Sequence, residues 1–175
     1  MKTESKHERI VLGGGCFWCT EAVLNTLEGV VNITPGYAGG FTIDPSYREV
    51  CDGNTGHAEV VEVIYDPGMI SLQDILDVFF STHDPTSLNR QGADVGTQYR
   101  SIILYTSEEQ RERTEGFMQK TADGYDRPIV TELKRLEYFY PAEEHHRAYY
   151  ERNPRQPYCR AVISPKLAKL KKKNG

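Results

Sequence analysis

Apolar residues in this chain come either in short unbroken runs or in rows spaced at helical intervals, and the two patterns largely alternate. Arg9 to Leu12 ends on the run Ile10-Val11-Leu12 and reads as a strand. Phe17 to Leu27 reads as a helix that Gly29 terminates, and Val30 to Thr34 as a strand stopped by Pro35. A polar stretch, Gly36 to Gly56, reads as a long loop. Ala58 to Tyr65 is a Val- and Ile-rich strand closed by the turn Asp66-Pro67-Gly68. Ser71 caps a helix through Thr82, with Leu72, Ile75, Leu76, Phe79 and Phe80 at helical spacing. His83-Asp84-Pro85 opens a second long loop to about Gln98, before a strand from Tyr99 to Tyr105. Ser107-Glu108-Glu109-Gln110 is a capping box for a charged helix to about Ala122. Ile129 to Leu136 reads as an edge strand and Ala142 to Arg152 as a polar helix. An irregular stretch, Asn153 to Tyr158, and a short helical tail follow.

The order is βαββαβ followed by αβα. Its first six elements match a ferredoxin-like α/β (α+β) two-layer sandwich, with helices packed on a mostly antiparallel mixed sheet. Two connections break the usual rule of short loops, and long ordered loops commonly carry function. A site formed by these loops around the helix that starts at Cys16 is the economical expectation. The 175 residues suit one domain, with flexible tails expected at about 1–8 and 166–175.

Charge narrows the function. A net charge of −4 argues against a nucleic-acid-binding face, and the basic run of Lys166, Lys169 and Lys171 to Lys173 reads as a solvated tail. No apolar stretch approaches the ~20 residues of a membrane span, and the start of the chain lacks a signal-peptide core. A cytoplasmic protein is expected. There, four cysteines point to catalysis, metal binding or burial rather than a disulfide framework.

The chemistry centres on Gly13-Gly14-Gly15-Cys16-Phe17-Trp18-Cys19. A strand, a tight turn and a helix place Cys16 at a helix N-terminus, where free N–H groups favour a thiolate. A nucleophile is the main reading; a small residue buried at a turn is the other. The run lacks the Gly-Lys-Ser/Thr ending of a phosphate loop. Adjacent helical residues point about 100° apart, so Phe17 and Trp18 do not both face one core, and a wall for a small apolar group is the alternative. Cys16 and Cys19 form a C-x-x-C, either a redox dithiol or half a zinc site whose other half is missing. Glu59 starts an apolar strand and is either an edge carboxylate or a buried acid whose raised pKa makes it a proton donor. Tyr37 and Tyr99, from separate loops, are candidates to hydrogen-bond a polar oxygen, and Asp94 lies near Tyr99. His145 and His146 read as a surface helix, since neighbours on a helix do not face one ligand point.

With these residues assembled, the chain resembles the A-class peptide methionine sulfoxide reductases from Ile10 to about Pro165. The motifs are Gly15-Cys16-Phe17-Trp18, Gly36-Tyr37-Ala38-Gly39-Gly40, Tyr47-Arg48-Glu49-Val50-Cys51, Gly56-His57-Ala58-Glu59-Val60, His83-Asp84-Pro85 and Gly96-Thr97-Gln98-Tyr99-Arg100. The resemblance implies a ferredoxin-like core and reduction of the S-epimer of methionine sulfoxide, free or in proteins. It implies thioredoxin as electron donor and neither metal nor organic cofactor. It makes Cys16 the attacking thiolate, Glu59 the neutral acid, Tyr37 and Tyr99 the oxygen's hydrogen-bond donors, Phe17 and Trp18 the methyl-binding wall, and Asp94 an orienting group. The resulting sulfenic acid needs a second thiol. Cys159, after a Pro- and Asn-containing segment, is the favoured resolver, Cys19 the alternative, and Cys51 a small buried residue. A non-catalytic thiol module and a cysteine hydrolase are the rival classes.

Overall fold

A computed structural model of the chain describes residues 6–174. Its first half is β1 (Glu8–Gly13), α1 (Phe17–Leu24), β2 (Val30–Ala38), α2 (Tyr47–Cys51), β3 (Ala58–Tyr65) and α3 (Leu72–Ser81). Next come β4 (Arg90–Gln91), β5 (Asp94–Val95), β6 (Ile102–Tyr105), α4 (Glu108–Ala122), β7 (Glu132–Arg135) and β8 (Phe139–Pro141). The chain ends with α5 (Tyr149–Arg152), a π-helical turn over Cys159–Ile163, and α6 (Ser164–Asn174).

The main sheet has the order β7-β6-β1-β3-β2-β8. Its inner four strands, β6-β1-β3-β2, are antiparallel throughout, which is the ferredoxin-like split βαβ arrangement. β7 joins β6 in parallel and β8 joins β2 antiparallel. Alternation divides the strands between two faces: Ile10, Leu12, Val61 and Val63 pack with Phe17, Leu24, Ile75 and Phe79 of α1 and α3. Val11, Val60 and Leu104 fill a smaller cluster with Leu136 and Phe139.

Several boundaries differ from those read along the chain. β2 runs through Pro35 to Ala38, so Tyr37 lies in a strand and not in a loop. Pro35 is tolerated because its carbonyl accepts from the Ala142 N–H (2.9 Å) on the β8 side; its missing N–H faces that side too, leaving the β3 ladder intact. The first long loop contains α2, capped by Ser46, and the second contains the β4–β5 hairpin. Tyr99 ends a 3₁₀ turn, and β6 starts only at Ile102. The helix expected over Ala142 to Arg152 is broken: a 3₁₀ turn at Glu144–His146 is separated from α5 by Ala148, whose φ is +49°. The Glu21 carboxylate of α1 accepts the Ala148 N–H (3.1 Å) and caps α5 from outside.

Of the two expected tails, residues 1–5 lie outside the described residues, and Glu8 already pairs with Tyr65 in the sheet. At the other end α6 is helical through Asn174, and Leu170 is buried. Among the described residues no helix is long and apolar enough to cross a membrane.

Candidate active site

Cys16 is the N-cap of α1, delivered by the turn from β1. A Cβ on Gly14 would lie 2.8 Å from the His83 ring, and Gly15 has φ +98°, so both positions require glycine. The thiol is buried. Burial, then the neighbouring Glu59 carboxyl and Cys19, push its pKa well above the usual value, while the Trp18 N–H acts in the opposite direction. The thiolate expected from the helix N-terminus is therefore not the resting form. The dipole of an eight-residue helix does not offset loss of solvent around the sulfur.

Glu59 is 1% exposed. One carboxyl oxygen accepts the Phe17 N–H at 3.1 Å, and the other, Oε2, has no partner among the described residues. Burial pushes the pKa up to about 8, against the Phe17 N–H, so the acid is largely neutral at pH 7. Of the two states left open by the strand pattern, the structure contains the buried acid. Tyr47 and Tyr99 surround it: burial first, and Glu59 second, raise both phenols.

Tyr37 is differently placed from the sequence-based expectation. It is fully buried opposite Glu59 in the β2–β3 ladder, but its hydroxyl donates to Glu143 at 2.9 Å. The second Glu143 oxygen accepts the Tyr47 N–H at 3.0 Å. Glu143 thus locks Tyr37 and fixes the start of α2, while the Tyr47 ring lies against Phe17 (centroids 6.1 Å apart, planes 16°). Tyr37, Tyr47 and Tyr99 all lie near Glu59, and of the three the Tyr37 hydroxyl is the one taken by Glu143.

Phe17 is a core residue, in contact with Tyr37, Tyr47 and His146. Trp18 is only half-buried, and Tyr149 stacks on its ring at 3.7 Å with planes 7° apart. Its Nε1–H donates to His146 Nδ1 at 3.0 Å. His146 is buried, not on a surface helix, and its Nε2 has no partner among the described residues. The Glu143–His146 segment is a missed part of the site: its charged pattern reads as solvated, and only the tertiary contacts reveal the inward-facing members.

The cysteines occupy three settings. Cys16 and Cys19 both line a cavity of about 710 Å³, with Gly15, Asp94, Tyr158 and Lys166. The Asp94 carboxylate accepts from the Tyr158 hydroxyl at 2.6 Å. This cavity lies on the Cys19 side of the nucleophile and is not walled by Phe17 or Trp18. Cys159 is 0% exposed and packs with Cys19 and Ile163 in a separate cluster, beside Trp18, Tyr149 and Tyr158. Cys51 is exposed rather than buried, because α2 ends at the surface. All four cysteines are free thiols. Among the described residues no three His, Cys, Asp or Glu side chains gather as metal ligands.

A family model described as peptide methionine sulfoxide reductase matches residues 8–175. A peptide methionine sulfoxide reductase MsrA from Natronomonas pharaonis is 58% identical over 158 residues, covering 89% of each chain. The crystal structure of Mxr1 from Saccharomyces cerevisiae in reduced form superposes with a TM-score of 0.84 at 35% identity, covering 91% of this chain and 92% of that one. Mxr1 in complex with Trx2 gives 0.61 at 27% identity, over 85% and 91% of the two chains.

Proposed function

This chain belongs to the peptide methionine sulfoxide reductase family, and from that premise we propose that it reduces the S-epimer of methionine sulfoxide through the Cys16 thiol. The observation that carries the chemistry is the Glu59 carboxyl: neutral, anchored through one oxygen, and unpartnered at the other beside Cys16. A sulfoxide sulfur resists attack because its oxygen is a poor leaving group until protonated. Glu59 Oε2 has a proton to give, and the Tyr47 and Tyr99 hydroxyls add donors to the same oxygen.

Cys16 attacks the sulfur, and an S–S bond forms as the Glu59 proton passes to the oxygen. The Cys16 proton replaces the one Glu59 has given. The oxygen then passes from the methionine sulfur to the Cys16 sulfur as the S–S bond and the original S–O bond break, so methionine leaves with its sulfur reduced by two electrons and Cys16 is oxidised to sulfenic acid. The acid at Glu59 is the main donor, and removing one preorganised donor costs ~2.7–4 kcal/mol in comparable sites. Asp94 orients the substrate from the cavity side, and Phe17 and Trp18 form the apolar wall around the S-methyl group. Substrate entry on that side requires Tyr149 to leave the Trp18 ring.

For recycling we place Cys19 ahead of Cys159, reversing the order read from the sequence. Cys19 lines the same cavity as Cys16, one helical turn away, whereas Cys159 is sealed behind it. Cys19 displaces the hydroxyl of the Cys16 sulfenic acid as water. Cys159 then attacks the Cys19 sulfur, releases the Cys16 thiol and leaves a Cys19–Cys159 disulfide. A thioredoxin-type dithiol protein is the reductant, supported by the relative solved with Trx2. Four free thiols suit the reducing cytoplasm.

The test is turnover of both sulfoxide epimers by wild type and Cys16→Ser. The wild type should reduce the S-epimer, and the variant neither; activity retained without the Cys16 sulfur would sink the proposal. Disulfide mapping after one oxidising turnover should find Cys16–Cys19 before Cys19–Cys159.

A further inference from the structure

The basic C-terminal run does not behave as one solvated tail. α6 packs against α1, and Lys166 from its first turn lines the cavity shared by Cys16 and Cys19. It also lines a narrow crevice beneath, with Cys19, Gly14 and His83. Lys166 is half-buried and shares both linings with Cys19. We infer that Lys166 is a positioning residue that eases formation of the reactive Cys19 thiolate when it resolves the Cys16 sulfenic acid, an inference that rests on the reductase reading above.

The surrounding groups leave Lys166 this role. Two carboxylates share the cavity, and both are engaged: Asp94 accepts from Tyr158 at 2.6 Å, and Asp84 accepts from Thr86 at 2.6 Å and pairs with Arg127 at 3.4 Å. Among the described residues Lys166 has no carboxylate within salt-bridge distance. His83 is not a competing cation. Burial pushes it down to about 4, and its nitrogens are taken by the Phe79 carbonyl (2.5 Å) and Ser101 (2.8 Å). Lys169 lines the outer cavity but not the crevice.

The other groups facing Cys19 act in both directions. Burial dominates and leaves its thiol raised, with Asp94 adding to the rise, while Lys166 and the Tyr158 hydroxyl draw it part of the way back. Cys159 has burial pushing it up and nothing acting against that. Of the two candidate resolving thiols, only Cys19 lines a cavity together with lysine side chains. Because the thiolate is the attacking form, the cation adds to the access that already puts Cys19 ahead of Cys159.

In the step itself Cys19 gives its proton to cavity water, and the thiolate attacks the Cys16 sulfur. The new S–S bond replaces the S–OH bond. The departing hydroxide takes a proton from the same water, so sulfenic acid plus thiol become disulfide plus water. Lys166 takes no part in the proton transfer.

The experiment is a single turnover of the full chain with one equivalent of the S-sulfoxide and no external reductant. Methionine released in the burst counts competent sites. The Cys16 sulfenic acid is trapped with dimedone at intervals across a pH series, and its decay is read per competent site. In Lys166→Met the decay should slow about tenfold at pH 7, with the midpoint of its pH profile raised by about one unit. Lys166→Arg should restore both, and Lys166→Gln, which also removes the charge, should match Lys166→Met. A wild-type decay rate and midpoint in Lys166→Met would overturn the inference. So would equal slowing by Met and Arg with the midpoint unmoved, which marks a packing role. No methionine burst from the wild type would instead refute the reductase reading itself.

Discussion

Two regions meet at Cys16, and they are held together differently. The first is β1, the glycine turn, α1 and β3: continuous ladders and a buried apolar face set Cys16 and Glu59 in place. The second is the chain from Ala142 onward, which crosses α1 on side-chain contacts, Glu21 to Ala148, Tyr149 on Trp18 and Trp18 to His146, and reaches β5 through Tyr158 to Asp94. Sulfur and proton chemistry belongs to the first, where a displacement of the acid would be costly to catalysis. The proposed thiol recycling draws on the second as well, because passing a disulfide from Cys16 through Cys19 to Cys159 requires sulfurs to change partners. A site built wholly of ladder would hold Cys16 well and recycle it poorly.

The contrast is broken most severely at Glu59. Glu59→Ala should lower kcat about 10²–10³-fold, the loss expected for one preorganised donor, and Glu59→Gln should retain part of the activity. Equal rates for the two would remove the acid from the mechanism. Stability provides a second readout. The carboxyl binds its proton up to about pH 8 in the folded chain but only to about 4.5 unfolded. Stability should therefore fall as pH rises across that window and level off above it, by on the order of a few kcal/mol. In Glu59→Gln, denaturant melts should lack that slope.

A smaller effect separates the phenols. Tyr47→Phe removes a hydroxyl from beside Glu59 and should slow sulfoxide reduction roughly 2–10-fold with little change in melting. Tyr37→Phe leaves a Glu143 oxygen without its buried donor and should cost ~1–3 kcal/mol of stability, with a lesser effect on rate. The reverse pattern would restore Tyr37 as the donor. The smallest effect tests the second region alone. Glu21→Ala should cost about 1–2 kcal/mol locally, seen as faster hydrogen exchange at the Ala148 and Tyr149 amides while Ile10 to Leu12 keep their protection. Uniform loss of protection would mean that the two regions form one cooperative unit.

The legible parts of the molecule are those whose partners are near in sequence or repeat with a period. The α3 row Leu72, Ile75, Leu76, Phe79 has one buried side, and Ser71 performs its capping role locally. The C-x-x-C spacing places two thiols on one helical turn whatever surrounds them. The ambiguous parts depended on a distant partner. Tyr37 and Tyr47 look equivalent along the chain; Glu143, about a hundred residues away, takes one hydroxyl and leaves the other. His146 and Lys166 sit in charged stretches typical of solvated surface, and nothing local distinguishes the members that turn inward.

By itself, then, the sequence determined the βαββαβ order, the family, the thiol at the helix start and a carboxyl on the strand beside it, because these follow from periodicity, turn chemistry and residue type. Only the tertiary structure decided the protonation states and the partners. Burial keeps Glu59 neutral and the Cys16 thiol protonated at rest, against the local pull of the helix terminus. Desolvation and pairing depend on everything packed around a group, and that packing comes from residues far along the chain.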